Sequence, residues 1–241
     1  MKILAIDSSS LVASVAIVTD GILTAEYTVN FKQTHSQTLL PMIVEICRMT
    51  KQNLEELDAI AISAGPGSFT GLRIGSATAK GLGLALDKPL ISVPTLDAMA
   101  YQFYCTDKLI CPIMDARRQQ VYTGVYRFAN GVFETIQEEQ AISIAELVQM
   151  LKDMQSDVIF TGDGIPVYKE YLKGSLKEAA YFAPPMMNRQ RAAAVASLAQ
   201  VYFEKGKMQT AAEHEPHYLR VSQAEREREQ KLQNKKTDGR D

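Results

Sequence analysis

Ala64-Gly65-Pro66-Gly67-Ser68-Phe69-Thr70-Gly71-Leu72-Arg73-Ile74-Gly75 follows an apolar run, Ala59-Ile60-Ala61-Ile62, and opens a helical pattern that continues to about Leu86. Glycines at a strand-to-helix turn permit positive φ and close backbone approach. The free N–H groups at the helix start suit an anion or a partner carbonyl. Gly71, Gly75, Ala79 and Gly83 recur at every fourth position and form one ridge of small residues. Each interior glycine costs a helix ~1 kcal/mol, so the ridge is expected to serve close packing, and a partner helix is the expected neighbour.

Upstream, Ile3-Leu4-Ala5-Ile6 ends at Asp7-Ser8-Ser9-Ser10, and strands over Ala13–Val18 and Ile22–Val29 flank a hairpin turn at Asp20-Gly21. From Ser36 to Thr50 the pattern is helical, with Leu39, Leu40, Ile43, Ile46 and Cys47 on one side. Downstream come a strand at Leu90–Val93 and a helix from Thr95 to about Tyr104. The opening pattern then returns. Ile113-Met114-Asp115-Ala116, a polar turn and Val121–Tyr126 repeat the order strand, Asp, turn, strand. Helices at Ile144–Met154, Pro166–Leu172 and Arg189–Glu204 follow, with a strand Val158–Phe160 that ends in Thr161-Gly162-Asp163-Gly164.

The repeat predicts an α/β fold of two related half-domains. The first is residues 1–106, completed by the helix near 189–206; the second is 107–221. Residues 222–241 are almost all charged or amide-bearing and are expected to form a disordered tail.

The 241 residues carry a formal charge of −2, which gives no electrostatic case for binding nucleic acid alone. Any role in RNA chemistry would need a partner to supply phosphate contacts. Cys47, Cys105 and Cys111 lack metal-site spacing and read as reduced thiols of a cytoplasmic protein. Asp7 interrupts the first apolar run, so it is no signal peptide, and no stretch is long and apolar enough to suggest a membrane span.

Asp7-Ser8-Ser9, His35-Ser36 with Leu39-Leu40-Pro41, the Gly65–Gly75 stretch, Asp115-Ala116-Arg117 and Pro216-x-Tyr218-Leu219-Arg220 together resemble the TsaB (YeaZ) family. The resemblance spans the chain to about residue 222, and Gly65–Gly75 is its specific part. It implies an actin/Hsp70/sugar-kinase-like fold with mixed sheets flanked by helices. It also implies a part in making threonylcarbamoyladenosine at position 37 of tRNAs that read codons beginning with adenine. In that family the partner is the larger paralogue TsaD, which transfers the threonylcarbamoyl group, and the ATPase TsaE joins them. TsaB itself is the non-catalytic subunit.

The catalytic paralogue carries His-x-x-x-His, two imidazoles one helical turn apart that hold an ion; Thr95 and Met99 stand at those places here. A hydroxyl and a thioether do not replace them, so no metal is expected. His35 is expected to cap a helix or pack, and His214 and His217 to lie in a polar surface segment. Asp7, Ser8, Asp115, Arg117 and Gly162 are the candidates for nucleotide contact, since actin-like kinases grip phosphates at two strand turns. Neither turn contains glycine here, so tight independent ATP binding is not expected, and nucleotide is left a place only at a subunit interface.

His35, Leu39, Met42, Ile43, Ile46, Gly71, Gly75, Ala79 and Gly83 are the candidate interface, with TsaD as heterodimer partner and a homodimer when alone. tRNA is then reached indirectly, through the complex. An actin-like ATPase or small-molecule kinase is the alternative function, and a metalloprotease a third that the missing histidine pair disfavours.

Overall fold

A computed structural model of the chain describes residues 1–220; the charged segment 222–241 lies outside the described residues. Two five-stranded sheets form the frame. The first contains β1 (Lys2–Asp7), β2 (Val12–Thr19), β3 (Ile22–Asn30), β4 (Ala59–Gly65) and β5 (Leu90–Pro94), in the order β3-β2-β1-β4-β5. The second contains β6 (Leu109–Asp115), β7 (Gln120–Ala129), β8 (Val132–Ser143), β9 (Val158–Thr161) and β10 (Ala180–Phe182), in the order β10-β9-β6-β7-β8. Both open with an antiparallel meander and continue with parallel strands beside the first. The two sheets thus have one topology, which is the repeat read from Asp7 and Asp115.

Period-two alternation along β1 divides the first core. Leu4 and Ile6 face α1 (His35–Thr50) and α2 (Phe69–Leu86), where Leu39, Ile43, Ile46 and Ala79 are buried. Ile3 and Ala5 face α6 (Ala192–Glu204), through Val195, Ala196, Leu198 and Ala199. In the second half, α4 (Ile144–Met154) and α5 (Ile165–Leu176) cover Cys111, Ile113, Val158 and Phe160. The other face is covered by α3 (Thr95–Tyr101), whose Leu96, Met99 and Ala100 meet Ile110, Met114 and Tyr126. That cluster joins the halves through an apolar core. Among the described residues no helix is long and apolar enough to cross a membrane.

Two strands, β8 and β10, have no counterpart in the sequence reading. β8 is a sheet edge, and its Phe133-Glu134-Thr135-Ile136-Gln137-Glu138 run alternates poorly because neither face is deeply buried. β10 has only three residues. Three helices are trimmed or extended: α3 stops at Tyr101, α5 runs on to Leu176, and α6 starts at Ala192.

The small-residue ridge packs against the chain itself, not against a partner. A Cβ on Gly71 would collide with the Ser8 carbonyl, and one on Gly75 with the Ser8 hydroxyl. At Gly83 it would press on Ala211, Leu90 and the Lys88 carbonyl, each at 3.1 Å. Ala79 is fully buried. Leu39, Ile43 and Ile46 are likewise core residues, and of the predicted interface only Met42 is partly exposed. The helical period identified which residues share a face, and that face turns inward.

Gly81 differs, since a Cβ there would meet nothing within 4 Å. Gly81→Ala is therefore expected to stabilise the isolated chain by about 1 kcal/mol. Gly75→Val is expected to destabilise it by about 1–3 kcal/mol or more through overpacking. Urea denaturation checks both, and equal responses at the two positions would contradict the assigned faces.

Candidate functional site

The C-terminal ends of β1 and β6 meet across a cleft of about 650 Å³ between the halves. Ser9, Ser10, Gly67 and Ser68 line it from the first half, and Asp115, Arg117 and Asp163 from the second. The two strand turns that carry the sequence's candidates for nucleotide contact both border it, so the bonding of each turn decides what the site can do.

The first turn is closed by the chain's own loop. Asp7 is 1% exposed, and one of its oxygens accepts from the Ser9 amide at 2.9 Å and the Ser9 hydroxyl at 2.7 Å. Burial pushes the Asp7 carboxyl above its usual range, an effect partly offset by the Ser9 donors and the Ser63 hydroxyl. Ser8 donates its hydroxyl to the Gly71 carbonyl at 2.8 Å, and Ser10 donates to Gln190 at 2.9 Å. The Ser68 amide donates to the Ser9 carbonyl at 2.6 Å. Gly67 permits this approach, because a Cβ there would collide with the same carbonyl. The serines that sequence alone left free to hold phosphate are thus committed to Asp7, Gly71 and Gln190.

His35 does not cap α1. The N-cap residue Thr34 makes no side-chain cap bond, and the His35 ring instead reaches the Ser10 carbonyl with Nε2 at 2.8 Å. A carbonyl accepts only, so Nε2 carries the proton. His35 therefore pins the first turn at Ser10, beside the start of α2.

The second turn is held in an uncommon backbone state. Arg117, Arg118 and Gln119 have φ of 66°, 54° and 59°, each in the left-handed region that disfavours side chains. Asp115 accepts from the Arg117 amide at 2.9 Å, and the Arg117 guanidinium lies 3.3 Å from the same carboxylate. The Arg117 side chain is 86% exposed, so this pair is solvent-screened and weak. Asp163 lies beside Asp115, and burial pushes its carboxyl up. Gly162, with φ +111°, is a packing glycine: a Cβ on it would collide with the Ile113 carbonyl. In the first half, the turn between β4 and α2 also has a positive-φ glycine, Gly65, at +126°.

At the two positions that the resemblance sets against metal-binding histidines, Thr95 bonds Ser63 (2.8 Å between hydroxyls) and Met99 is 1% exposed in the apolar core. Both are occupied in packing. Among the described residues no group of three His, Cys, Asp or Glu side chains is placed to hold a metal ion. His214 is a correction to the sequence reading. It is 1% exposed, lies 2.8 Å from both Ser92 and Gln209, and burial lowers its pKa so that the ring stays neutral. His217 does lie at the surface, paired with Glu139 at 2.7 Å. Gln190 and Arg220, which bonds the Ala116 carbonyl at 2.9 Å, were not found from sequence. Gln190 belongs to no local pattern, and sequence marks Arg220 only as the end of the Pro216-x-Tyr218-Leu219-Arg220 stretch, with no site role.

The buried Asp7 carboxyl sets a pH dependence. Its pKa is higher folded than unfolded, so the unfolded chain releases the proton first. Stability attributable to Asp7 therefore falls as pH rises from 3.8 to the raised folded value, then levels. Asp7→Asn is expected to remove that fall while keeping one acceptor for Ser9. Denaturation midpoints of both proteins across the acidic range test this, and parallel pH curves would contradict it.

Comparison with known proteins gives one consistent answer. The family model described as TsaD, tRNA N6-adenosine threonylcarbamoyltransferase, matches residues 26–228. The chain is 33% identical to the tRNA threonylcarbamoyladenosine biosynthesis protein TsaB of Bacillus subtilis, covering 93% of this chain and 96% of that protein. It is 31% identical to the protein of the same name from Escherichia coli, covering 91% and 95%. The solved YeaZ structure from Pseudomonas aeruginosa superposes with a TM-score of 0.75 at 27% identity, covering 90% of this chain and 99% of that one. With two halves of one topology and this breadth of likeness, the chain belongs to the TsaB (YeaZ) family of tRNA threonylcarbamoyladenosine biosynthesis.

Proposed function

We propose that this chain carries no chemistry of its own and serves as the docking subunit of a TsaD paralogue, which transfers threonylcarbamoyl to adenosine 37 of tRNA. One observation carries the reading: Ser68 and Gly71 occupy the Ser8–Ser10 turn where phosphate would have to bind. A cleft of this size suits a ligand in general, which is what favours the ATPase alternative. The committed serines weigh against it.

The outer faces of α1 and α2 form the docking surface. They replace the inward residues that sequence had assigned to it. Leu40, Val44 and Leu84 are 51%, 66% and 68% exposed, and Gly81 opens onto empty space. An exposed mid-helix glycine costs the isolated chain stability without return, and a close helix partner supplies the return. TsaD shares the fold, so the contact is pseudo-symmetric, and two copies of this chain can use the same face when TsaD is absent. The complex works in the cytoplasm, where TsaE joins it. Nucleotide, if held at all, lies between subunits, and tRNA is met through the assembly.

Reconstitution tests this directly. TsaD, TsaE, tRNA and threonylcarbamoyl-adenylate are mixed with and without this chain, and modified adenosine is measured. Transfer is expected only with the chain present, and full transfer without it overturns the proposal. Val44→Asp with Leu84→Asp is expected to weaken TsaD capture at least ~10-fold, or about 1.4 kcal/mol, with no loss of fold by circular dichroism. Undiminished capture would place the docking surface elsewhere.

A further inference from the structure

After α6 the chain does not end but runs back across the molecule. Gln209 exchanges backbone bonds with Leu90 on β5, at 2.8 and 3.0 Å. Lys80 of α2 holds the carbonyls of Ala212 and His214, at 3.1 and 2.9 Å. The His217 amide then donates to the Ala64 carbonyl at 2.7 Å. Its own carbonyl fills the space beside Gly65, where a Cβ would collide with it. Tyr218 stacks on Phe69 with ring centroids 4.8 Å apart. All these anchors belong to the first half.

The next contacts belong to the second. His217 pairs with Glu139 on β8 at 2.7 Å, and Arg220 donates to the Ala116 carbonyl at 2.9 Å, in the turn after β6. Ala116 and Ser68, the neighbour of Phe69, both line the cleft. The strap therefore bridges the two sides of the cleft, while the α3 core joins the halves behind it. The segment between β10 and α6 also crosses, with the Met187 carbonyl accepting from the Thr161 hydroxyl at 2.7 Å and Gln190 from the Ser10 hydroxyl at 2.9 Å. The strap adds a further attachment, at Glu139 and Ala116, and so narrows the hinge freedom these leave.

We infer that residues 206–220 form a strap that fixes the angle between the halves, so that the chain holds one closed arrangement without any ligand in the cleft. The inference rests on these contacts alone and is independent of the docking reading. It also accounts for Gly65, whose missing side chain leaves the space in which the strap is seated.

The test uses the full chain with spin labels replacing two exposed residues, Glu55 in the first half and Lys152 in the second, and reads their distance distribution by double electron–electron resonance. The parent protein is expected to give one narrow peak that millimolar Mg–ATP leaves in place. His217→Ala with Arg220→Ala is expected to broaden it to at least twice the width. Arg220→Ala alone removes one contact at the molecular rim, so it spares folding, and is expected to broaden it to a smaller degree. A peak as narrow in both variants as in the parent overturns the strap, and so does a parent peak that moves when Mg–ATP is added.

Discussion

The bond from the Ser68 amide to the Ser9 carbonyl, with its companion from the Ser8 hydroxyl to the Gly71 carbonyl, is the constraint on which the rest of this structure depends. It sets the start of α2 directly on the turn after β1. Only glycine at positions 67, 71 and 75 leaves room for that approach. Once made, it consumes the polar groups of the turn, buries Asp7, and orients α2 with its small residues inward and Ala77, Gly81 and Leu84 outward. The occupied polar groups of the first turn and the outward face of the helix follow from the same contact.

The two halves show how far one topology can diverge. Asp7 and Asp115 occupy matching strand ends, and a glycine with φ above +100° stands at the turn after β4 and after β9, though not at the same level of the sheet. The first half has filled its turn with serines bonded inward. The second has kept an exposed turn, but places Arg117 against Asp115. Core packing specifies the shared topology of the halves, while the polar bonding of the two turns differs residue by residue.

Much of the fold was legible because it is written in periodicity. The apolar run Ile3-Leu4-Ala5-Ile6 ending at Asp7 and the return of strand–Asp–turn–strand at Ile113 carry the topology, and the sheets repeat it. β8 was not legible, since an edge strand of Glu, Gln and Thr carries little alternation. The site was legible only in part. Sequence located Asp7, Ser8, Asp115 and Arg117 at the strand turns, but not whether their donors were free. The closing contacts span large separations, as with Ser10 and Gln190, and no local pattern records them. The glycine ridge was read correctly as a place of close approach and assigned to the wrong neighbour, because a helical repeat says which residues are on one face and not what lies opposite. His214 was misplaced for a related reason: a Glu-Pro flank suggests solvent, whereas the strap folds it beneath Lys80.

The most direct measurement of the central claim is calorimetric titration of the purified chain with Mg–ATP, with phosphate release followed in the same samples. A closed first turn predicts no binding heat beyond dilution through the millimolar range and no turnover. Saturable micromolar or tighter binding, with stoichiometry of one and ATP hydrolysis, would contradict the account.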